Sequence, residues 1–214
     1  IGPIKRNASI LRSELSFILR ETTLPVKVTL PGPMTVADST ADEFYHNEEQ
    51  LAMDVAVALN KEALELEQQG AAVIQFDEPV FSRYPEKVVS WGIKALDRCL
   101  EGLSTAKSAA HICYSYPMPG VPRPIVDSYP VILEALESSK VDELALEFEA
   151  SKLDPSLLRR CPSKTVLFGC IDNGTNEIEN PRDIANKLLT AAEHLPPTQI
   201  QAAPDCGLVP LPLD

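Results

Sequence analysis

The sequence predicts an α/β fold with a parallel sheet, and within that class a TIM-type (β/α)₈ barrel that lacks its first two strands in this chain. Three observations predict it. Short apolar runs alternate with helical patterns along the whole length, as expected for strands joined by helical crossovers. Residues suited to chemistry gather where strands end, at Pro31–Thr35, Asp77–Pro79, His111–Ser115, Glu147, Asp172 and Asp205–Cys206. Barrels of this kind build their sites at that C-terminal face. Open doubly wound sheets also bind ligands at strand carboxyl ends, but no glycine-rich phosphate fingerprint follows any strand here, which makes the open nucleotide-binding sheet the weaker choice. Six strands are legible, against eight in a closed barrel; the other two would have to precede Ile1.

Each element has its own reason. Residues 7–20 put Ile10, Leu11, Leu15, Ile18 and Leu19 on one broad helical face. Pro25 follows, then Val26–Leu30 reads as a short strand that ends abruptly at Pro31-Gly32-Pro33-Met34-Thr35. A long helix is expected from about Ala41 to Gln69, capped by Ser39 or Thr40 and stopped by Gly70. Ala72–Phe76 is the next strand, ending in Asp77-Glu78-Pro79, and residues 86–103 read as helical. The strand entered through Ser108-Ala109-Ala110 carries His111 and Cys113, and Tyr116–Gly120 breaks it. Residues 125–139 read as a helix, Leu144–Phe148 as a strand, Ser156–Arg160 as a short helical stretch and Thr165–Cys170 as a strand. Pro181 suits the first turn of a helix reaching His194. Thr198–Ala203 closes the series and is the weakest strand, since only Ile200 is strongly apolar. No composition shift, linker or repeat divides the chain, so residues 1–214 are expected to form a single, partial catalytic barrel domain.

Composition narrows the partners. The formal net charge is −12 and no Lys/Arg-rich run is present, which disfavours nucleic acid. No apolar run approaches a membrane span, and no secretory signal opens the chain. Five scattered cysteines, an odd number, suit a reducing compartment better than a disulfide framework, so the expected location is cytoplasmic. Small molecules are the expected partners, with the oligomeric state open between monomer and homo-oligomer.

The residues that carry chemistry come from separate strands. His111 and Cys113 are two apart on a strand and share a face. Glu147 stands among Leu144, Leu146 and Phe148, where a carboxylate is costly to bury without a metal or a basic partner. Glu149 is on the same face and competes with it, the plain alternative being a solvated acid at the strand's end. Cys206 follows Pro204-Asp205 and also suits a simple turn cysteine. Any one of these has a bland explanation; a buried cysteine is often only a small hydrophobe. Together His111, Cys113, Glu147 and Cys206 make a tetrahedral zinc set, and zinc is the expected cofactor. Asp77-Glu78 either holds a substrate amine or caps and salt-bridges a neighbouring helix. Cys99, Cys161 and Cys170 read as core residues, and His46 and His194 as surface residues on helices.

These motifs resemble the C-terminal catalytic domain of cobalamin-independent methionine synthase and the related methyltransferase-like barrels of the uroporphyrinogen decarboxylase superfamily. The match is carried by Leu30-Pro31-Gly32-Pro33-Met34-Thr35, Ile74-Gln75-Phe76-Asp77-Glu78-Pro79, His111-Ile112-Cys113-Tyr114-Ser115, Glu147 in its strand, Gly169-Cys170-Ile171-Asp172 and Pro204-Asp205-Cys206-Gly207-Leu208, in the family's order. The resemblance implies zinc on His111, Cys113, Glu147 and Cys206, with Asp77 matching the acid that binds the amino group of homocysteine. It implies methyl transfer to a zinc-activated thiol, as in methionine biosynthesis. Asp77 and Asp172 are then the candidate catalytic groups, and Asp77, Glu78, Thr35, Ser115 and Asp205 the candidate substrate contacts. One departure stands out: folate-dependent members carry a histidine shortly after the Gly-x-x-Asp strand end, and Asp172-Asn173-Gly174-Thr175 has none, which leaves the methyl donor open. Two other readings stay in view, a metal-free decarboxylase-type barrel and a non-catalytic zinc-binding module.

Overall fold

Each described strand after the first pairs in parallel with the strand before it. The protein's computed structural model describes residues 1–114 and 127–208. Its strands are β1 (Lys27–Pro31), β2 (Val73–Asp77), β3 (Lys107–Ile112), β4 (Glu143–Leu146), β5 (Thr165–Ile171) and β6 (Ile200–Pro204). They form one sheet in chain order. The helices are α1 (Arg12–Glu21), α2 (Pro33–Asp38), α3 (Glu48–Gln69), α4 (Pro85–Lys87), α5 (Ile93–Cys99), α6 (Tyr129–Glu137) and α7 (Pro181–Ala191). Unbroken parallel order with helical crossovers is the arrangement of consecutive (β/α) units in a barrel, and six such strands lie among the described residues.

Strand alternation sorts the side chains onto two faces. Leu30, Ile74, Phe76, Leu144, Leu146 and Val166 are buried in the hydrophobic core that the helices share. The alternate set, including Lys27, Thr29, Gln75, His111, Ala145 and Leu167, lines an inner cleft of about 280 Å³. Register runs Pro31, Asp77, His111, Ala145, Leu167, Gln201 across the sheet, so the second and third of these stand side by side on the inner wall. A larger groove of about 740 Å³ between α1 and α3 is lined by Arg12, Lys61, Glu65 and Gln69. It involves none of the strand-end residues.

Several boundaries differ from those the sequence predicts. α3 begins at Glu48, not near Ala41, and neither Ser39 nor Thr40 caps it. The Asn47 side chain does so by accepting from Gln50 N. Residues ahead of it are tied into a turn by Asp42, whose carboxylate accepts from Phe44, Tyr45 and Asn47 N–H at 3.1, 2.7 and 3.2 Å. Gly70 ends α3 with φ of 111°, as a left-handed C-terminal residue should. The segment expected to be helical over 86–103 comprises α4, a π-helical stretch (Val88–Gly92) and α5. α2 was not expected: Pro33 supplies a first-turn φ, and a distant carboxylate described below anchors its N–H groups. α6 starts at Tyr129 and α7 stops at Ala191, so His194 lies in the turn after α7 and His46 in the turn before α3.

Candidate metal centre

β3 stops at Ile112 and β4 at Leu146, so Cys113 and Glu147 sit one residue past their strands rather than within them. That displacement brings them to the rim with His111 and with Cys206, which follows β6. The ligand-type atoms of His111, Cys113, Glu147 and Cys206 all lie within 4.8 Å of one another. The sulfurs of Cys113 and Cys206 are 4.0 Å apart, far beyond a disulfide bond of about 2.05 Å. His111 Nε2 is 3.5 Å from Glu147 Oε1. Tetrahedral zinc with bonds of about 2.0–2.3 Å sets ligand–ligand edges of about 3.3–3.8 Å, close to both spacings. His111 Nε2 is buried, and its contact with Glu147 Oε1 at 3.5 Å is long for a hydrogen bond, which suits a nitrogen aimed at a cation. Two sulfurs, an imidazole and a carboxylate are a donor set for zinc, and the residues present fit it.

In the metal-free site the electrostatics hold protons on His111 and Cys113 and favour the thiolate only at Cys206. Burial pulls the His111 pKa down, but hydrogen bonding to Glu147 and the charges of Asp77 and Cys206 more than offset it, so the net shift is upward. Cys113 and Cys206 share one proton. Hydrogen bonding from Cys113 lowers the Cys206 thiol to about 7, while the same contact, with burial, pushes Cys113 upward. A cation at this point relieves that shared proton and the crowding of negative charge together.

Around the four ligands lies a scaffold of buried polar groups. The Tyr129 hydroxyl donates to Ile112 O (2.6 Å) and accepts from Glu147 N (3.2 Å), bridging the ends of β3 and β4. Its ring stacks on Tyr114 at 4.8 Å, and Tyr114 N donates to Glu147 Oε2 at 3.3 Å. Asp205, only 2% exposed, accepts from Phe148, Glu149 and Ala150 N–H at 3.1, 3.0 and 2.6 Å. It reaches them across β5 over Gly169, where a Cβ would lie 2.1 Å from Asp205 Oδ1. Asn173 holds the backbone of Cys206 and Gly207. Sequence reasoning missed Tyr129 and Asn173; an apolar helix start and a loop asparagine carry no mark of partners so far along the chain.

The other expected site residues divide. Asp77 stands beside His111 in register, about 4.8 Å away across the sheet. Its carboxylate accepts from Gln75 Nε2 at 2.8 Å, and Gln75 Oε1 accepts from Lys27 Nζ at 3.1 Å. Burial raises the Asp77 pKa, against the pull of Gln75, His111 and Lys27. Glu78 turns the other way, fully buried beneath α2. It accepts from Met34 N (2.9 Å), Thr35 N (2.9 Å) and Thr35 Oγ1 (2.6 Å), so Glu78 and Thr35 are joined to each other. Burial pushes the Glu78 pKa up to about 7, against those three hydrogen bonds. Asp172 Oδ1 accepts from Gly174 N at 2.8 Å, organising the loop after β5. Glu149, the competitor of Glu147, pairs with Lys152 and Lys187 at 2.5 and 2.6 Å and is not in the four-residue cluster. Ser115 lies outside the described residues. Cys99, Cys161 and Cys170 are buried and not disulfide-bonded, as expected of core residues.

A parallel-stranded barrel with a His/Cys/Glu cluster at the carboxyl ends of its strands defines the class. Within it, the chain belongs to the family described as cobalamin-independent synthase, catalytic domain, whose model matches residues 4–213. It is 29% identical over 210 residues to a methionine synthase of Thermococcus kodakarensis, covering 97% of this chain and 58% of that protein. With a methionine synthase of Saccharolobus islandicus it shares 33% identity over 185 residues, covering 86% of this chain and 52% of that one. The chain thus spans about half the length of these relatives. A solved B12-independent methionine synthase from Shewanella sp. W3-18-1, in complex with selenomethionine, superposes with a TM-score of 0.91 at 33% identity. That match covers 100% of this chain and 64% of the other. A methyltransferase from Methanosarcina mazei shares the fold, with a TM-score of 0.67 at 17% identity. No helix among the described residues is long and apolar enough to cross a membrane.

Proposed function

We propose that residues 1–214 form a single, partial barrel domain of a zinc-dependent methyltransferase that methylates a thiol of the homocysteine type, as in methionine synthesis. The observation that carries this reading is the convergence of His111, Cys113, Glu147 and Cys206 within 4.8 Å. The family and the methionine synthase relatives support it, as does the selenomethionine held by the Shewanella protein. Five cysteines, none in a disulfide, support a reducing, cytoplasmic setting.

His111, Cys113, Glu147 and Cys206 would hold the zinc. When bound, zinc supplies the positive charge that keeps a coordinating thiol deprotonated and nucleophilic near neutral pH. The chain's own residues do the rest. Cys113, Cys206 and Glu147 carry negative charge to the rim, keeping electron density high at the sulfur to be methylated. Asp77 offers a carboxylate beside His111 for the ammonium of an amino-acid thiol, and Gln75 orients it. Asp172 and Asp205 shape the loops that border the thiol, and Glu78 with Thr35 fixes the neighbouring strand exit. Ser115 is assigned a substrate contact. Methyl transfer is an in-line displacement, so positioning outweighs acid–base work.

Metal analysis of the purified protein tests the reading. One zinc per chain is expected, lost in His111→Ala and Cys206→Ser; full zinc in both variants overturns the ligand assignment. Cobalt substitution separates enzyme from zinc module: homocysteine should shift the cobalt spectrum, and an unmoved spectrum refutes thiol activation. Turnover of a tetrapyrrole by metal-stripped protein would replace the proposal with the decarboxylase reading.

A further inference from the structure

We infer that Asn173 is a positioning residue for Cys206, an assignment that rests on the metal reading above. β6 ends at Pro204, so Cys206 lies beyond the reach of the sheet's own pairing. Asn173, in the loop leaving β5 and only 2% exposed, takes over. Its Nδ2 donates to Cys206 O at 2.9 Å and Gly207 O at 3.1 Å, and its Oδ1 accepts from Cys206 N at 3.0 Å. Both backbone polar groups of Cys206 are therefore held by one side chain. Only one orientation of an amide satisfies two carbonyls and an N–H at once, so the contact fixes the direction of the Cα–Cβ bond as well as the position of the chain.

This matters more at Cys206 than at the other ligands. His111 lies within β3, Cys113 immediately follows it, and Glu147 is tied through its N–H to Tyr129. Cys206 sits two residues past the end of β6 with a partly exposed side chain. Without Asn173 more of the ordering of the Cys206–Gly207 backbone falls to the metal, and that ordering is subtracted from affinity. Groups that orient a metal ligand typically change affinity 10–100-fold when removed.

The matched control is Asn60, also buried, which donates to Cys99 O and Glu101 O at 3.0 and 2.7 Å in a turn remote from the rim. The experiment is chelator competition for zinc on the whole chain, comparing the unaltered protein with Asn173→Ala, Asn173→Asp and Asn60→Ala. Weakening of about 10–100-fold is expected in both Asn173 variants, with zinc affinity unchanged in Asn60→Ala. The Asp variant is nearly isosteric and keeps one acceptor but loses both donors, so it reports even where the Ala variant folds poorly. The cobalt-loaded Asn173 variants should also show a weakened thiolate-to-cobalt charge-transfer band, which a purely structural loss would leave in place. Equal zinc affinity in all folded proteins overturns the assignment. Failure of the unaltered protein to bind zinc overturns the metal reading itself, and is distinguishable because it precedes any comparison of variants.

Discussion

Removing the Asp205 carboxylate should be among the most damaging single changes to this domain. Its oxygens accept from three successive backbone N–H groups, those of Phe148, Glu149 and Ala150. In Asp205→Ala all three lose that acceptor at once. A buried donor left unsatisfied costs about 1–3 kcal/mol. Phe148 N bears the full penalty because its contact is buried, while water can reach the other two in part. The expected loss is about 3–5 kcal/mol, which for a chain of this length lowers Tm by roughly 6–20 °C. Asp205→Asn keeps one acceptor but turns an amide N–H₂ toward the same donors, so about 2 kcal/mol or more is expected. The assay is thermal and urea unfolding of the metal-free variants, so that metal binding does not enter. Reaching the same contact from the other side, Gly169→Ala places a Cβ 2.1 Å from Asp205 Oδ1 and 2.7 Å from Leu146 O and should be similarly harmful. An Asp205→Ala protein within about 1 kcal/mol of the unaltered one would refute the reasoning.

Gly32→Ala puts a Cβ 2.1 Å from Glu78 Cδ; a loss of at least about 1–3 kcal/mol is expected by urea titration, and an unchanged midpoint would contradict it. Burial alone would raise the Glu62 pKa, but the Leu11 N–H, Arg6, the Ile10 N–H and Ser9 outweigh burial, and the net shift is downward. Its contribution is therefore complete above the unfolded glutamate value of about 4.3 and lost as pH falls through the lower folded value. Glu62→Gln should cost about 1.5–3 kcal/mol at pH 7 and flatten the acid limb of the stability profile; an identical limb would refute a stabilising role for these Glu62 contacts. Zinc at 100 times its Kd should stabilise the fold by about 2.7 kcal/mol, reversed by a chelator. A melting temperature insensitive to both would count against a site that exists only in the folded chain.

What was legible in the sequence follows from the range of the forces involved. The strand–helix alternation depends on local periodicity, and all six strands lie where it placed them, within a residue or two. The four candidate ligands were nameable because each residue type is conspicuous where it stands: a carboxylate among aliphatics, a thiol after Pro-Asp. The start of α3 was misplaced although Asn47 and Gln50 carry a capping signature, because the apolar pattern extends upstream into the turn held by Asp42. α2 was invisible for a different reason. Its anchor, Glu78, is 44 residues from Met34, and no local rule links them. Asp205 supports the turn 55–57 residues earlier, a bond only the folded sheet reveals. The same holds for Glu149, whose partner Lys187 rides on α7.

The placement of Cys206 beyond β6 has a kinetic consequence. Three of the would-be ligands lie in β3 or one residue past the ends of β3 and β4, whereas Cys206 stands two residues past the end of β6. Segments beyond a strand open more readily than the strand itself. Each such opening would leave the ion with three anchors instead of four. The leak rate of metal into a trapping dye should therefore track hydrogen exchange at the Cys206 amide and ignore that of residues 107–112, making ion escape a stopwatch for the opening of one turn.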